Sequence, residues 1–322
     1  MKIGVFSVLF QDKNFEEMLD YVARAGVDMI EVGTGGNPGN HFCPLEELLS
    51  DENKRNKFLE TIQQRGLSIS ALSCHNNPIS PNLEEAQRDH DTLFKTIKLA
   101  SLLKIPVVNT FSGVAGSDET AKLPNWPVTP WPTDYSKILQ WQWEEKLIPY
   151  WKKAADYAKA HNVKIGIELH AGFLVHTPYT LLKLREATND AIGANLDPSH
   201  LWWQGIDPVA AIKILGRENA IHHFHAKDTY IDQENVNMYG LTDMQPYGNV
   251  QTRAWTFRTV GYGHSPQVWG EMISALRING YDYVVSIEHE DPIMSIEEGF
   301  NKAVSNLKAV NIEQASPELW WT

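Results

Sequence analysis

Residues 163–200 read VKIGIELHAGFLVHTPYTLLKLREATNDAIGANLDPSH. A short apolar run at 163–170 is followed by helical spacing of apolar residues at 178–187 and by a second apolar run at 191–197. Short apolar runs of this kind are typical of buried strands, and the spacing between them is that of an amphipathic helix. The stretch therefore predicts two parallel strands joined by a helical crossover.

The same alternation extends over the whole chain. The predicted strands are 2–10, 28–33, 67–75, 106–111, 163–170, 191–197, 220–228 and 282–289. The predicted helices are 15–25, 45–65, 83–103, 135–160, 178–187, 208–215, 266–279 and 296–310. Eight such units without a linker predict one α/β domain over residues 1–322, a (β/α)8 TIM barrel. The alternative, a doubly wound open sheet, is disfavoured because no Gly-x-Gly-x-x-Gly follows the first strand.

Two long insertions follow the fourth and seventh predicted strands. The first, about 113–134, interleaves four prolines with Trp126 and Trp131, and the second, about 229–263, carries four tyrosines and one tryptophan. Segments that follow barrel strands lie on the carboxyl-terminal face, where binding loops are found. Aromatic side chains in such loops can stack on the apolar faces of sugars.

Composition excludes several classes of protein. The 322 residues include 28 Lys and Arg and 40 Asp and Glu, a net charge of −12, which argues against a nucleic-acid or anionic-membrane partner. Cys43 and Cys74 are the only cysteines, so a disulfide framework and a cysteine-rich zinc site are excluded. The sequence has neither a signal-peptide pattern nor an apolar run of about 18 residues. We therefore expect a cytoplasmic protein.

Four consecutive predicted strands end in carboxylates or imidazoles, at the positions that are catalytic in barrels. Because side chains alternate along a strand, Glu168 and His170 share one face, as do His223 and His225. Carboxylates that converge in a barrel mouth require a compensating cation. The predicted metal ligands are Glu168, Asp197, His225 and Glu288. This oxygen and nitrogen set suits a divalent ion, and we expect Mn²⁺ first, with Mg²⁺, Co²⁺ and Zn²⁺ as alternatives.

Such an ion polarises a sugar carbonyl, and a carboxylate beside it can move a proton on carbon. The predicted catalytic residues are Glu168, Glu288 and His170. The predicted substrate-binding residues are His75, His200, His223, Lys227, Asp228, Arg258 and Trp126. Each of these also has a structural interpretation, such as an ion pair for Arg258, a cap for Asp228 or packing for Trp126.

The chain resembles the xylose isomerase-like barrel superfamily of sugar-phosphate isomerases and epimerases, which is related to ketose 3-epimerases. The motifs that carry the resemblance are Ile167-Glu168, Asp197-Pro-Ser-His200, His223-Phe-His225-Ala-Lys-Asp228, Val260-Gly-Tyr-Gly263 and Ser286-Ile-Glu288. The resemblance implies that Glu168, Asp197, His225 and Glu288 bind the metal. It also implies that Glu168 and Glu288 move a proton through a cis-enediolate and that His200 contacts the substrate.

Two positions depart from the ketose 3-epimerases. Ile231 stands where those enzymes have an arginine, and Leu174 stands where they have a second glutamate. We therefore expect the substrate to differ from a simple free ketose held in the same way.

Three classes of function are compared. The leading hypothesis is a metal-dependent sugar isomerase or epimerase, and the second is a lyase that acts on 3-oxo-glycosides. A non-catalytic sugar-binding barrel is a third. An endonuclease IV-like repair enzyme is disfavoured by the net charge of −12 and by the absence of an Asp-x-His motif. The expected partner is a small carbohydrate, and a homo-oligomer or a second type of subunit stays open.

Overall fold

A computed structural model describes residues 1–314, 316 and 321. The barrel strands are β1 (Lys2–Phe6), β2 (Met29–Gly33), β3 (Ser68–Ser73), β4 (Val107–Thr110), β5 (Lys164–Glu168), β6 (Ile192–Leu196), β7 (Ile221–Ala226) and β10 (Val284–Ile287). They close in the order β1-β10-β7-β6-β5-β4-β3-β2. The parallel pairing of Lys2 with Val284 joins the first strand to the last. The predicted (β/α)8 barrel is confirmed.

Helices cover the outside of the barrel. They are α1 (Phe15–Ala25), α2 (Leu45–Ser50), α3 (Glu52–Gln63), α4 (Leu83–Leu103), α5 (Thr133–Trp141), α6 (Ile148–Ala160), α7 (Pro178–Ala187), α8 (Pro198–Trp202), α9 (Pro208–Arg217), α10 (Gln233–Tyr239), α11 (Pro266–Ile278) and α12 (Ile296–Val310). Helix α1 shows why such segments begin and end where they do: Asn14 and Glu17 form a capping box, and Gly26 ends the helix with φ of 80°. Within the described residues, none of the helices has the length and apolarity that a membrane crossing requires.

Three predicted elements differ from those in the structure. The first strand ends at Phe6 because Ser7–Phe10 form a 3₁₀ turn. The predicted helix 45–65 is two helices, since the Asp51 side chain accepts the backbone N–H groups of Asn53 and Lys54 and starts α3. A π-helical segment, Gln142–Leu147, joins α5 to α6 within the predicted helix 135–160.

The predicted seventh strand, 220–228, is also divided. β7 ends at Ala226, and Asp228–Ile231 (β8) pairs antiparallel with Trp255–Arg258 (β9). This two-stranded ribbon carries α10 and the rest of the second insertion above the carboxyl ends of the barrel strands.

The first insertion is held to the helical layer by Gln142, which is fully buried in the π-helical segment. Its Nε2 donates to the carbonyl oxygens of Ala115, Gly116 and Asn125 at 3.1, 2.9 and 2.7 Å. Trp151, also fully buried, donates its Nε1–H to the carbonyl of Ser112 at 2.9 Å. A buried amide with these partners fixes the course of the insertion over the barrel mouth.

Candidate metal centre

Four side chains at the ends of neighbouring strands meet at the barrel mouth. One ligand atom from each of Glu168, Asp197, His225 and Glu288 lies within 4.8 Å of those of the other three. Glu168 ends β5, Asp197 follows β6, His225 lies in β7, and Glu288 follows β10. The structure thus brings together the four residues that the sequence predicts as metal ligands.

The position of Asp197 is fixed by the short helix α8, which the sequence did not predict. Asp197 is its N-cap, and Oδ1 accepts the backbone N–H of Ser199 at 2.8 Å. This bond leaves Oδ2 directed to the cluster, where it has no hydrogen-bond partner among the described residues. One carboxylate therefore both begins a helix and presents its second oxygen to the cluster.

Glu168 is surrounded by nitrogen atoms. Asn195 donates its amide N–H to Glu168 Oε2 at 3.2 Å, from the facing position of β6. His75 Nε2 lies 2.9 Å from Oε2, and His200 Nε2 lies 3.1 Å from Oε1. The predicted residues His75 and His200 therefore both contact the cluster.

His225 presents its two nitrogens to different carboxylates. Its Nδ1 lies 2.9 Å from Glu288 Oε2 and 3.3 Å from Glu168 Oε2. Its Nε2 forms a hydrogen bond of 2.9 Å with Oε2 of Glu31, a residue of β2. The Nδ1 side of the ring is therefore the side that faces the predicted ligands.

Lys227, a predicted substrate-binding residue, lies beside these carboxylates and is fully buried. Its Nζ lies 3.3 Å from both Asp197 Oδ2 and Glu288 Oε2 and donates to Glu290 Oε2 at 3.0 Å. It also lies 4.5 Å from the centroid of the Phe257 ring. The Glu290 side chain is 52% exposed, so Lys227 connects the buried cluster to solvent.

The negative charge of the cluster exceeds the positive charge of Lys227 and His225 beside it. Burial, with the nearby Glu288 and Glu168 carboxylates, raises the pKa of Asp197 to about 7 despite the attraction of Lys227. Burial also opposes ionisation of Glu288, but Lys227 and His225 outweigh it and lower the pKa of Glu288 to about 2. Glu288 Oε2 has no hydrogen-bond partner among the described residues. A divalent cation would remove this mismatch, so the residues fit such an ion.

Burial disfavours the charged form of two histidines beside the cluster, His200 and His170. Burial, the His170 ring and Lys227 lower the pKa of His200 well below its usual value. The His170 ring lies 4.0 Å from the His200 ring, and burial lowers its pKa too. His170 Nδ1 contacts the carbonyl of Ala171. His170 thus contacts His200, which in turn contacts Glu168. The predicted catalytic role of His170 stays a prediction.

His223, a predicted substrate-binding residue, makes contacts inside the barrel. It is fully buried below the cluster. Its Nδ1 lies 3.1 Å from Asn195 Oδ1, and its Nε2 lies 3.2 Å from Ser70 Oγ. Both ring nitrogens are engaged inside the barrel, which favours a structural role, and the substrate contact of His223 stays a prediction.

Asp228 likewise makes structural contacts, and its role in substrate binding stays a prediction. Its Oδ2 accepts the backbone N–H groups of Gly261, Gly263 and His264 and the Trp269 Nε1–H, at 2.9 to 3.2 Å. Its Oδ1 lies 2.8 Å from His264 Nδ1. A Cβ at Gly263 would collide with the carbonyl of Thr229, so only glycine allows this approach. Asp228 and Val260-Gly-Tyr-Gly263 together hold the second insertion to the barrel.

We expect Asp228→Asn to lower the free energy of unfolding by about 3 kcal/mol, because a buried ionised acceptor of several N–H groups is lost. Urea denaturation monitored by circular dichroism measures this change in the free energy of unfolding. Asp207→Asn is the control, since Asp207 accepts only the backbone N–H of Val209 at the start of α9 and should change stability by less than about 1 kcal/mol. Equal effects of the two substitutions would contradict the anchoring role.

The remaining predicted residues lie around the mouth. Arg258 Nε donates to Asp291 Oδ2 at 3.1 Å, which agrees with its structural interpretation. Trp126 lines a groove of about 740 Å³ between the two insertions, together with Trp143, Trp203 and Leu241. Neither contact tests a role in substrate binding.

The groove is linked to the cluster by a chain of side chains. The Trp126 ring lies 5.3 Å from the His176 ring, edge to face. His176 Nδ1 donates to Gln204 Oε1 at 2.8 Å, and Gln204 Nε2 donates to the carbonyl of His200 at 2.6 Å. His200 in turn contacts Glu168, so one wall of the groove adjoins the candidate metal centre.

Sequence analysis missed Glu31, which is fully buried in the barrel. The available signal was a single carboxylate in the otherwise apolar run Met29-Ile30-Glu31-Val32. Such a residue is costly to bury without partners. Only the register of the closed barrel shows that it faces His225.

Fold and site together define a (β/α)8 barrel with a carboxylate–histidine centre at the carboxyl ends of its strands. More particularly, the chain belongs to the xylose isomerase-like TIM barrel family, whose sequence profile matches residues 19–310. This match confirms the resemblance that the motifs indicated.

Known proteins of this kind include one close relative and two distant ones. The uncharacterized protein YfiH of Bacillus subtilis is 40% identical over 298 residues, 91% of this chain and 94% of that protein. The 3-dehydroshikimate dehydratase of Bacillus anthracis is 22% identical over 232 residues, 71% of this chain and 72% of that protein. A solved D-tagatose 3-epimerase-like protein shares the fold with a TM-score of 0.62 and 19% identity, over 96% of this chain and 98% of that one.

Proposed function

We propose that this protein is a divalent-metal-dependent enzyme that moves a proton on the carbon next to a carbonyl group of a sugar or sugar derivative. The outcome would be isomerisation or epimerisation. The proposal is supported by two carboxylates that approach one ring nitrogen from separate strands: Glu168 Oε2 and Glu288 Oε2 lie 3.3 and 2.9 Å from His225 Nδ1. The epimerase-like structural neighbour agrees with this reaction class.

Each side chain has a defined task in this proposal. Glu168, Asp197, His225 and Glu288 would hold the ion, which would polarise the substrate carbonyl and acidify the neighbouring C–H bond. One of Glu168 and Glu288 would take the proton from carbon, and the other would return a proton to the enediolate. Lys227 would donate a hydrogen bond to a substrate oxygen, and neutral His200 would bind a hydroxyl group.

The substrate is proposed to be larger than a free ketose. Leu174 is buried in the core, with 1% of its surface exposed, and so offers no carboxylate at the position where ketose 3-epimerases have one. We keep Mn²⁺ as the first ion to test, followed by Mg²⁺, Co²⁺ and Zn²⁺. A carbohydrate partner and a cytoplasmic location are further proposals.

The second candidate is a lyase that acts on 3-oxo-glycosides. The same proton abstraction would be followed by loss of the substituent on the neighbouring carbon. The aromatic groove beside His200 favours this reaction, because it offers space for an apolar aglycone. The similarity to 3-dehydroshikimate dehydratase is consistent with an elimination.

Deuterium exchange separates the candidates. The protein with Mn²⁺ is incubated in D₂O with a panel of ketoses, aldoses and 3-oxo-glycosides, and the products are analysed by proton NMR. Loss of a C–H signal with the sugar otherwise isomerised or epimerised supports the first candidate, and release of the aglycone supports the second. Binding of a sugar without any exchange would refute both and indicate a non-catalytic sugar-binding barrel.

The position of Trp126 in the groove leads to a separate prediction. We expect Trp126→Ala to raise KM about tenfold for a glycoside with an aromatic aglycone, because a large ring contact is lost, and to leave KM for the corresponding free sugar unchanged. Trp131→Ala is the matched control, since 76% of the Trp131 side chain is exposed. A similar change of KM for both substrates would place the aglycone elsewhere.

A further inference from the structure

Glu31 lies inside the barrel, beside the predicted ligands but not among them. It is fully buried in β2, where its register partner in β1 is Phe6. A carboxylate in this position needs strong partners, since burial alone opposes its ionisation. Those partners come from four other strands.

Both oxygens of Glu31 accept hydrogen bonds from residues of neighbouring and more distant strands. Oε1 accepts from Asn109 Nδ2 at 2.9 Å and from the hydroxyl of Ser73. Oε2 accepts from Ser286 Oγ at 3.1 Å and from His225 Nε2 at 2.9 Å. The carboxylate is thus anchored by β3, β4 and β10 and directs its remaining interaction to the ring in β7.

The bond to His225 has a consequence for the other ring nitrogen. Glu31 Oε2 is a hydrogen-bond acceptor for Nε2, whereas Glu288 Oε2, although 2.9 Å from Nδ1, has no hydrogen-bond partner among the described residues. A neutral imidazole that donates from Nε2 carries a lone pair on Nδ1, and a histidine binds a metal ion in this neutral form. That lone pair faces Glu168 and Glu288.

We propose that Glu31 is a positioning residue that holds His225 in the tautomer and orientation in which Nδ1 binds the metal. This inference rests on the proposed function, because it requires the metal centre. A carboxylate that accepts the second N–H of a metal-binding histidine fixes the ring and raises its basicity, and its loss weakens metal binding by 10- to 100-fold.

The same region also permits a different interpretation, a second metal site. Ligand atoms of Glu31, His223 and His225 lie within 4.8 Å of one another. However, His223 already contacts Asn195 and Ser70, and the Glu31 oxygens receive N–H and O–H groups, whose hydrogens would repel a cation. The contacts therefore favour the positioning role over a second ion.

The test compares metal binding in wild-type protein, Glu31→Gln and Ser70→Ala. Ser70 is also fully buried in the barrel and bonds His223 and not His225, so it controls for disturbance of the barrel interior. Co²⁺ alone is titrated by calorimetry and by its visible absorption. We expect one ion per chain in all three proteins, with Co²⁺ bound 10- to 100-fold more weakly by Glu31→Gln and unchanged by Ser70→Ala.

A second measurement does not depend on how the variant folds. In wild-type protein loaded with Zn²⁺ and labelled in its histidines, nitrogen NMR should show His225 protonated at Nε2. The proposal is overturned if Nε2 is the metal-bound atom, if Glu31→Gln binds Co²⁺ as tightly as wild type, or if wild type binds two ions and Glu31→Gln loses one. A wild-type protein that binds no ion would instead overturn the proposed function.

Discussion

Replacing Glu288 with Gln is expected to lower the rate of deuterium exchange by at least about a thousandfold, because the variant loses a carboxylate that moves a proton and helps to hold the ion. The side chain keeps its size, so the fold should be retained. The rate of C–H exchange in D₂O, measured by proton NMR with saturating Mn²⁺, gives the effect. Parallel elemental analysis shows how much ion the variant retains.

Glu290→Gln is the matched control for this substitution. Glu290 also contacts Lys227, at 3.0 Å, but its side chain is 52% exposed. We expect its rate to fall less than about fivefold, because Glu290 lies at the solvent side of Lys227 and has no proposed contact with the ion or the substrate. Full activity of Glu288→Gln would show that this residue does not take part in proton transfer.

Removal of the metal should abolish exchange and lower thermal stability. Three carboxylates would then share Lys227 and His225 as their nearby cations, which leaves negative charge uncompensated in a buried site. We expect activity to fall at least about a thousandfold after dialysis against a chelator and to return with Mn²⁺. At an ion concentration of a hundred times Kd, binding should raise the free energy of unfolding by about 2.7 kcal/mol.

Asp197→Asn is the control for the stability measurement. Asparagine can still accept the N–H of Ser199 and cap α8, but it carries no charge for an ion. Its melting temperature should therefore respond weakly to Mn²⁺. A wild-type protein that keeps full exchange activity after removal of all divalent ions would exclude the metal-dependent mechanism.

The barrel could be predicted because the same sequence pattern, an apolar run followed by an amphipathic segment, repeats along the chain. Eight apolar runs alternate with amphipathic segments, and the helices 83–103, 178–187 and 296–310 were predicted with the boundaries that the structure has. The four residues whose ligand atoms meet at the mouth were also predicted, since parallel strands bring their carboxyl ends to the same face. Their role as metal ligands stays a prediction that binding measurements must test.

Other features depend on contacts between distant segments, and sequence periodicity does not report them. Glu31 and His225 are 194 positions apart, and only barrel closure places them 2.9 Å from each other. The anchoring role of Asp228 depends on backbone N–H groups more than 30 residues away. The short helix α8 escaped prediction because five residues are too few to show a period.

The pairing of β1 with β10 has a consequence for biosynthesis. The ribosome releases the second strand early, whereas Glu288 follows Glu31 of that strand by 257 positions. Contacts between segments so far apart must await loop closure, which slows folding. The pocket therefore cannot exist before β10 has been made, and the nascent chain would acquire an ion only after that point.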